Sequence, residues 1–308
     1  MKILGVNISH HPTICWYENG EIKKFFNEER FVNIKHHDAA KCEIFLSIFQ
    51  HITDKPDIVC YSSYGRNVNY CDVTDQDLIN KIQKQLKNSI FFFNEKEHHL
   101  YHAICGFYFS EFNEAAVIVV DGGGACNAHI PYQETESIYF IDKKNIFPFF
   151  KHHNSYRSCN LLNFTNVPEF QFYNFYNGYI NKFSNEKNGG LLFNDACEKI
   201  GYRSGNDSGK LMGLSSYAYT NIKYDLDYEK VEIAKKTQEI SFNNTCKLID
   251  IAKNKSKNII LSGGCALNCS NNFKYVKKYP DLNFFVDPIP NDAGTAIGVA
   301  IYYDNYKK

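Results

Sequence analysis

The strongest constraint on the fold is the stretch Ala116-Val117-Ile118-Val119-Val120-Asp121-Gly122-Gly123-Gly124. Its first five residues are small or β-branched and wholly apolar, the signature of a strand buried on both faces. An acidic residue and three glycines then free the backbone for a sharp turn. The stretch restarts a pattern that opens at the N-terminus. Ile3 to Ile8 and Thr13 to Tyr17 read as strands, Glu18 to Glu21 as a tight turn, and Ile22 to Asn27 as a third strand. A helix over Asp38 to Phe49, a strand over Asp57 to Tyr61, a helix over Asp75 to Leu86, a strand over Ile90 to Phe93 and a helix over His98 to Tyr108 follow. After Ala115 come strands over Ser137 to Ile141 and Ile146 to Phe150, then helices over Leu191 to Ile200 and Lys230 to Lys253. The strand Asn258 to Leu261 runs into Ser262-Gly263-Gly264 and a helix, Leu282 to Val286 is a last strand, and Asp292 to Tyr303 a last helix. A meander-then-helix unit thus occurs twice, which predicts two related α/β lobes, 1–112 and 113–308, facing each other. The second includes an irregular insertion near 156–187, rich in Asn, Phe and Tyr, and the final helix over 292–307.

Composition narrows the function classes. With 308 residues, 44% hydrophobic and 22% charged, the chain can bury two cores, which excludes wholesale disorder. Lys plus Arg equals Asp plus Glu at 34 each, against a general polyanion-coating role. The eleven cysteines form no CxxC pair and are odd in number, so reduced thiols in a cytoplasmic protein are expected. The start MKILGVNISHH lacks a signal-peptide core, and no run of 18 apolar residues predicts a membrane span.

Among the motifs, His98-His99-Leu100-Tyr101-His102 is the best local signal, because His98 and His102 fall at i and i+4 on one helical face. That spacing suits one divalent ion, and equally a surface or partly buried histidine cluster. Asp292, where a strand hands over to a helix, suits a third ligand and also a helix N-cap, and both roles are compatible. Asp121 with Gly122 to Gly124 suits phosphate contacts with a cation or water held beside them; Gly263-Gly264 before a helix suits an anion or nucleotide contact. Either glycine pair alone more often marks only a tight turn. The Walker and GxGxxG patterns are absent, which disfavours P-loop and Rossmann sites. His10 and His11, in the first turn, suit proton acceptance near neutral pH or plain solvent exposure. Glu28-Glu29-Arg30 and Lys35-His36-His37 read as solvated faces, Lys210 as a phosphate contact or a solvated helix-end lysine, and Cys265 and Cys269 as packing residues rather than nucleophiles.

Taken in order, Gly5-Val6-Asn7-Ile8-Ser9-His10, Asn19-Gly20-Glu21-Ile22, Asn27-Glu28-Glu29-Arg30-Phe31, His98-His99-Leu100-Tyr101-His102-Ala103, Val119-Val120-Asp121-Gly122, Lys210-Leu211-Met212-Gly213-Leu214, Gly263-Gly264-Cys265-Ala266-Leu267-Asn268 and Asp292-Ala293-Gly294 resemble the O-carbamoyltransferases of the nodulation-factor and antibiotic-tailoring type. The resemblance spans almost the whole chain. It implies the two-lobed fold of the actin, sugar-kinase and chaperone-ATPase superfamily, with duplicated RNase H-like lobes. It also implies transfer of a carbamoyl group from carbamoyl-adenylate, made from carbamoyl phosphate and ATP, to an acceptor hydroxyl of a sugar-like or other small molecule. By the resemblance, His98, His102 and Asp292 hold Fe²⁺, with Mg²⁺ or Mn²⁺ as alternatives. His10, His11 and Asp121 lie at the reacting group, Gly122, Gly123, Gly124 and Lys210 at the phosphates, and Gly263, Gly264 and Asn268 at the adenosine.

Two departures stand out. The family usually carries His-Asp where this chain has His10-His11, and its members usually continue into a YrdC-like domain that makes the adenylate. A separate YrdC-like protein is therefore an expected partner. A hydroxymethylated nucleobase or nucleotide as acceptor, a non-catalytic nucleotide-binding subunit, and a sugar kinase on the same fold are the competing readings; the histidine pair disfavours the last.

Overall fold

A computed structural model of the protein describes residues 1–8, 10–35, 46–52, 54–63, 73–93, 97–124, 132–155, 171–176, 178–220 and 227–307. Their strands form two sheets. The first comprises β1 (Lys2–Asn7), β2 (Thr13–Glu18), β3 (Glu21–Asn27), β4 (Ile58–Ser62) and β5 (Ile90–Phe93), in the order β3-β2-β1-β4-β5. The second comprises β6 (Glu114–Val120), β7 (Tyr132–Asp142), β8 (Ile146–Ser155), β9 (Gln171–Tyr176), β10 (Tyr179–Ser184), β11 (Asn258–Ser262) and β12 (Asn283–Val286). Within it, β8-β7-β6-β11-β12 repeats the order of the first sheet. The pairing repeats too: the meander strands are antiparallel and the last two parallel in both sheets. This is the duplicated architecture expected from the sequence.

Among the described residues, the α-helices of eight residues or more are α1 (Val73–Gln85), α2 (His98–Ser110), α3 (Gly189–Lys199), α4 (Ser208–Ser215), α5 (Tyr228–Ala252), α6 (Cys269–Lys278) and α7 (Ala293–Ile301). Two of them, α2 and α7, lie side by side between the sheets. α7 packs on β1, β2 and β4, and α2 on β6, β7 and β11. A helix enclosed on all sides must be apolar all round, and α7, AGTAIGVAI, is buried at every position. The close approach needs glycine: a Cβ on Gly298 would fall 1.9 Å from the Tyr101 carbonyl oxygen of α2. Alternation along the strands sorts the cores. Ile3 faces the central helices, whereas Leu4 and Val6 face Leu78 and Ile82 of α1; Val117 and Val119 face α2, whereas Ala116 and Ile118 face Leu248 and Ile249 of α5.

Three expectations change. The insertion near 156–187 is not wholly irregular: β9 and β10 form an antiparallel pair, and β10 extends the second sheet by pairing in parallel with β8. Asn-rich aromatic strands at a sheet edge need no clean alternation, which hid them; residues 156–170 lie outside the described set. Glu28 is not on a solvated face. Its backbone N–H donates to the Pro12 carbonyl, 3.0 Å, and the side chain is fully buried under the β1–β2 turn, while Arg30 is exposed. The helix after Gly264 begins only at Cys269, behind a 3-10 turn over Gly264–Leu267. The helix expected over Asp38 to Phe49 falls mostly outside the described residues, as do His36 and His37; what is described there is a helical turn at 46–48 and a 3-10 turn over Phe49–His51.

Candidate metal and nucleotide site

The first two turns of α2 carry His98 and His102 one above the other, and Asp121 follows the end of β6 beside them. α7 starts at Ala293, so Asp292 stands at its N-terminus, next to α2. The four side chains are buried, and one ligand atom from each lies within 4.8 Å of all the others. His98 Nε2 and His102 Nε2 are 3.1 Å apart. Asp121 Oδ2 is 3.6 Å from His98 and 3.9 Å from His102; Asp292 Oδ1 is 3.8 Å and 3.7 Å from the same two nitrogens. His99, a hundred degrees round the helix, points away.

Electrostatics define what this cluster wants. Burial pulls the His98 imidazole down, but Asp121 and Asp292 more than compensate and hold it above its ordinary value. Burial would raise Asp121; His98, His102 and His99 instead hold it far below the usual carboxylate range. Two buried carboxylates facing two imidazole nitrogens call for positive charge between them.

The neighbouring turns are drawn to the same point. Gly264 N–H donates to Asp121 Oδ1, 2.9 Å, which ties the second glycine turn to the cluster. Gly263 sits at φ +82°, and a Cβ there would fall 2.5 Å from the Val120 carbonyl oxygen, so glycine is required. Gly190 N–H donates to the Asp121 carbonyl, 3.0 Å, and seats the N-terminus of α3 under Gly122. The Asn7 side chain, fully buried, donates to the carbonyls of His10 (2.9 Å), His11 (3.1 Å) and Asp292 (3.1 Å). It thereby holds the histidine turn of the first sheet against the start of α7. His11 is buried at φ +57°, its ring edge-on to His10 at 4.1 Å. Asn268 caps α6 through the Asn271 N–H and bonds Gln238, lining a cavity with Val120, Ser241, Thr245, Cys265 and Tyr275. Lys210 is not drawn in: it is largely exposed and pairs with Asp207 at 2.8 Å. Burial raises the Cys265 thiol, in keeping with a packing role.

The sequence profile of the carbamoyltransferase N-terminus family matches residues 51–245 and 239–301. The chain belongs to that family. Among curated proteins, an uncharacterised protein of Methanocaldococcus jannaschii is 25% identical over 339 residues, covering 97% of this chain and 56% of that protein. The chain thus spans about half the length of the curated relative it matches. Solved structures similar to this family member include full-length HypF in a phosphate- and nucleotide-bound form, with a TM-score of 0.62 at 17% identity, covering 98% of this chain and 55% of the other. HypF of T. kodakarensis gives a TM-score of 0.60 at 11% identity, over 99% and 48% of the two chains. The ROK hexokinase of Thermus thermophilus gives 0.52 at 10% identity over 100% of each. These likenesses show that the chain shares its fold with HypF and with the ROK hexokinase.

The carbamoyltransferase-family cluster fits a divalent cation. Separations of 3.1 to 3.9 Å between nitrogen and oxygen donors are edges of a coordination polyhedron, since an ion sits about 2.0–2.2 Å from imidazole nitrogen and carboxylate oxygen. The mixed His₂Asp₂ set suits Fe²⁺ or Mn²⁺ better than Mg²⁺, which prefers oxygen and water. Asp121 as a fourth member was not legible from spacing, because it depends on β6 ending beside α2. Asn7, Gly189 and Gly190 were missed for the same reason.

Proposed function

We propose that the chain is a metal- and ATP-dependent O-carbamoyltransferase of the nodulation-factor and antibiotic-tailoring type, acting on a hydroxyl of a sugar-like or other small molecule. The observation that carries this reading is the convergence of His98, His102, Asp121 and Asp292 from three elements onto one point beside two glycine turns. The sheet units serve as two lobes, 1–112 and 113–308, with the reaction at their seam.

His98, His102, Asp121 and Asp292 would hold Fe²⁺, which when bound supplies Lewis-acid polarisation of the carbamoyl carbonyl and neutralises phosphate charge. The backbone N–H groups of Gly122 and Gly123 and the N-terminus of α3 orient the phosphate, while Gly124 N–H donates to the Glu134 carbonyl and shapes the turn. Gly263, Gly264 and Asn268 line the adenosine side. The acceptor oxygen attacks the carbamoyl carbon, the bond from that carbon to the AMP oxygen breaks, and AMP leaves with the electron pair. His10 takes the acceptor's proton, held in place through Asn7. A YrdC-like protein supplies carbamoyl-adenylate from carbamoyl phosphate and ATP.

The test is reconstitution with carbamoyl phosphate, ATP, Fe²⁺ and a YrdC-like protein, with mass spectrometry over a panel of hydroxylated metabolites and nucleosides. The expected result is a carbamoylated product with stoichiometric AMP. A phosphorylated product, or no nucleotide binding and no AMP, overturns the reading. Wild-type turnover lost in His98→Ala separates a catalyst from a non-catalytic subunit.

A further inference from the structure

One buried node ties together the segments that carry the four metal-site residues. Ser262 ends β11, and its hydroxyl lies 3.1 Å from the His102 carbonyl of α2 and 2.6 Å from Asp287 Oδ2. Asp287 follows β12, and its backbone N–H donates to the Leu261 carbonyl, 2.9 Å, one residue before Ser262. Its other carboxylate oxygen, Oδ1, accepts from the Ile289 N–H at 2.9 Å, closing a turn of the kind Asp favours. Both side chains are buried, and α2 presses on them: a Cβ on Gly106 would fall 3.4 Å from Asp287 Oδ2.

Short paths lead from this node to the metal-site residues. His102 is bonded to it through its own backbone. Gly264, two residues after Ser262, holds Asp121 Oδ1 through its N–H. Asp292 is five residues after Asp287, across a segment stiffened by Pro288 and Pro290. That segment folds back on the first turn of α7, where a Cβ on Gly294 would fall 2.3 Å from the Ile289 carbonyl oxygen. A shift of α2 against β11 therefore carries His98 and His102 away from Asp121 and Asp292 together. Stability alone does not call for the pair, since replacing both partners of a buried hydrogen bond by apolar groups of the same shape can be nearly neutral. Geometry does call for it, because ligand distances must hold to within about 0.2 Å for an ion to be bound well.

We propose that Asp287 and Ser262 are positioning residues for the metal centre, setting α2 against the turns that carry Asp121 and Asp292 without touching the ion. The inference rests on the metal-binding part of the carbamoyltransferase reading.

The experiment titrates Co²⁺, whose visible absorption reports coordination number and geometry, into the full chain well below its melting temperature, with thermal unfolding measured alongside. Co²⁺ affinity in Asp287→Leu is expected to fall at least about tenfold, with an altered spectrum. Ser262→Ala, which removes a single oxygen and carries the test should the Leu variant fail to fold, is expected to move affinity and spectrum in the same direction. Asp287→Asn is expected to keep wild-type affinity and spectrum, because its amide oxygen still accepts from Ile289 and its NH₂ still bonds the Ser262 hydroxyl. A folded Leu or Ala variant with wild-type affinity and spectrum overturns the inference whatever its melting temperature, since a merely structural role moves only the melting. An Asn variant as weak as the Leu variant overturns it as well. Wild type that binds no Co²⁺ overturns the metal-binding reading beneath it.

Discussion

The two sheets share a strand order, yet the turns that leave their first strands have opposite chemistry. In the first sheet, the turn after β1 carries His10 and His11, and a buried asparagine holds it in place. In the second, the turn after β6 carries Asp121 and three glycines, and a helix N-terminus supports it from below. Topology makes the two turns equivalent in position, so each reaches the seam between the sheets. Residue type then divides the work: the second turn offers a carboxylate and the backbone of Gly122 and Gly123, the first offers imidazole. The central helices are common to both, since α2 leans on one sheet and α7 on the other and each starts at the cluster. Duplication supplies the frame, and divergence at a few turn positions supplies the site.

The largest expected effect breaks this division of labour on the second side. Asp121→Asn or His102→Ala removes a donor that no neighbour replaces, and divalent-metal affinity by calorimetry is expected to fall at least about 100-fold. Unchanged affinity in both would detach the second turn from the cluster.

Next in size is the acid limb of stability, which tests the network behind that turn. Burial would raise the Glu134 carboxyl, but Lys151, His99, His153 and the Ser137 hydroxyl hold it down to about 2 against an ordinary 4.5. Because the folded state binds this proton less readily than the unfolded chain, the stabilisation is complete above about pH 4.5. It drains away as pH falls towards 2, and amounts to about 3 kcal/mol. Glu134→Gln should flatten that limb in denaturant titrations at successive pH values.

Gly298→Ala probes the shared helices. The methyl collides with the Tyr101 carbonyl, and a loss of about 1–3 kcal/mol is expected in thermal unfolding. Asn7→Ala tests the first turn: three carbonyls lose their donor, with a cost of roughly 1–2 kcal/mol and a drop in turnover larger than the drop in metal affinity. If metal affinity falls as far as turnover does, the first turn serves the ion rather than proton transfer. Lys210→Ala sharpens the contrast from the other end. Its exposed pair with Asp207 is worth at most about 1 kcal/mol, and melting should barely change.

The two halves also differed in how readily they could be read. The meander strands and the parallel strands behind them were legible because apolar runs bounded by turns hardly admit another fate. β9 and β10 were not, as edge strands rich in Asn and Tyr lack that signal. Glu28 looked like one charge in a solvated run, and its burial depends on where the β1–β2 turn folds back.

By itself, the sequence determined the alternation of elements, their duplication, and the one-face placement of His98 and His102, because periodicity and i, i+4 spacing act within a single segment. Tertiary structure alone decided that Asp121 and Asp292 meet those histidines, that Asn7 spans two elements 285 residues apart, and that a shifted register turns Glu134 towards His99. Such contacts join segments distant along the chain. Their geometry is set by which faces pack, and no local pattern encodes that.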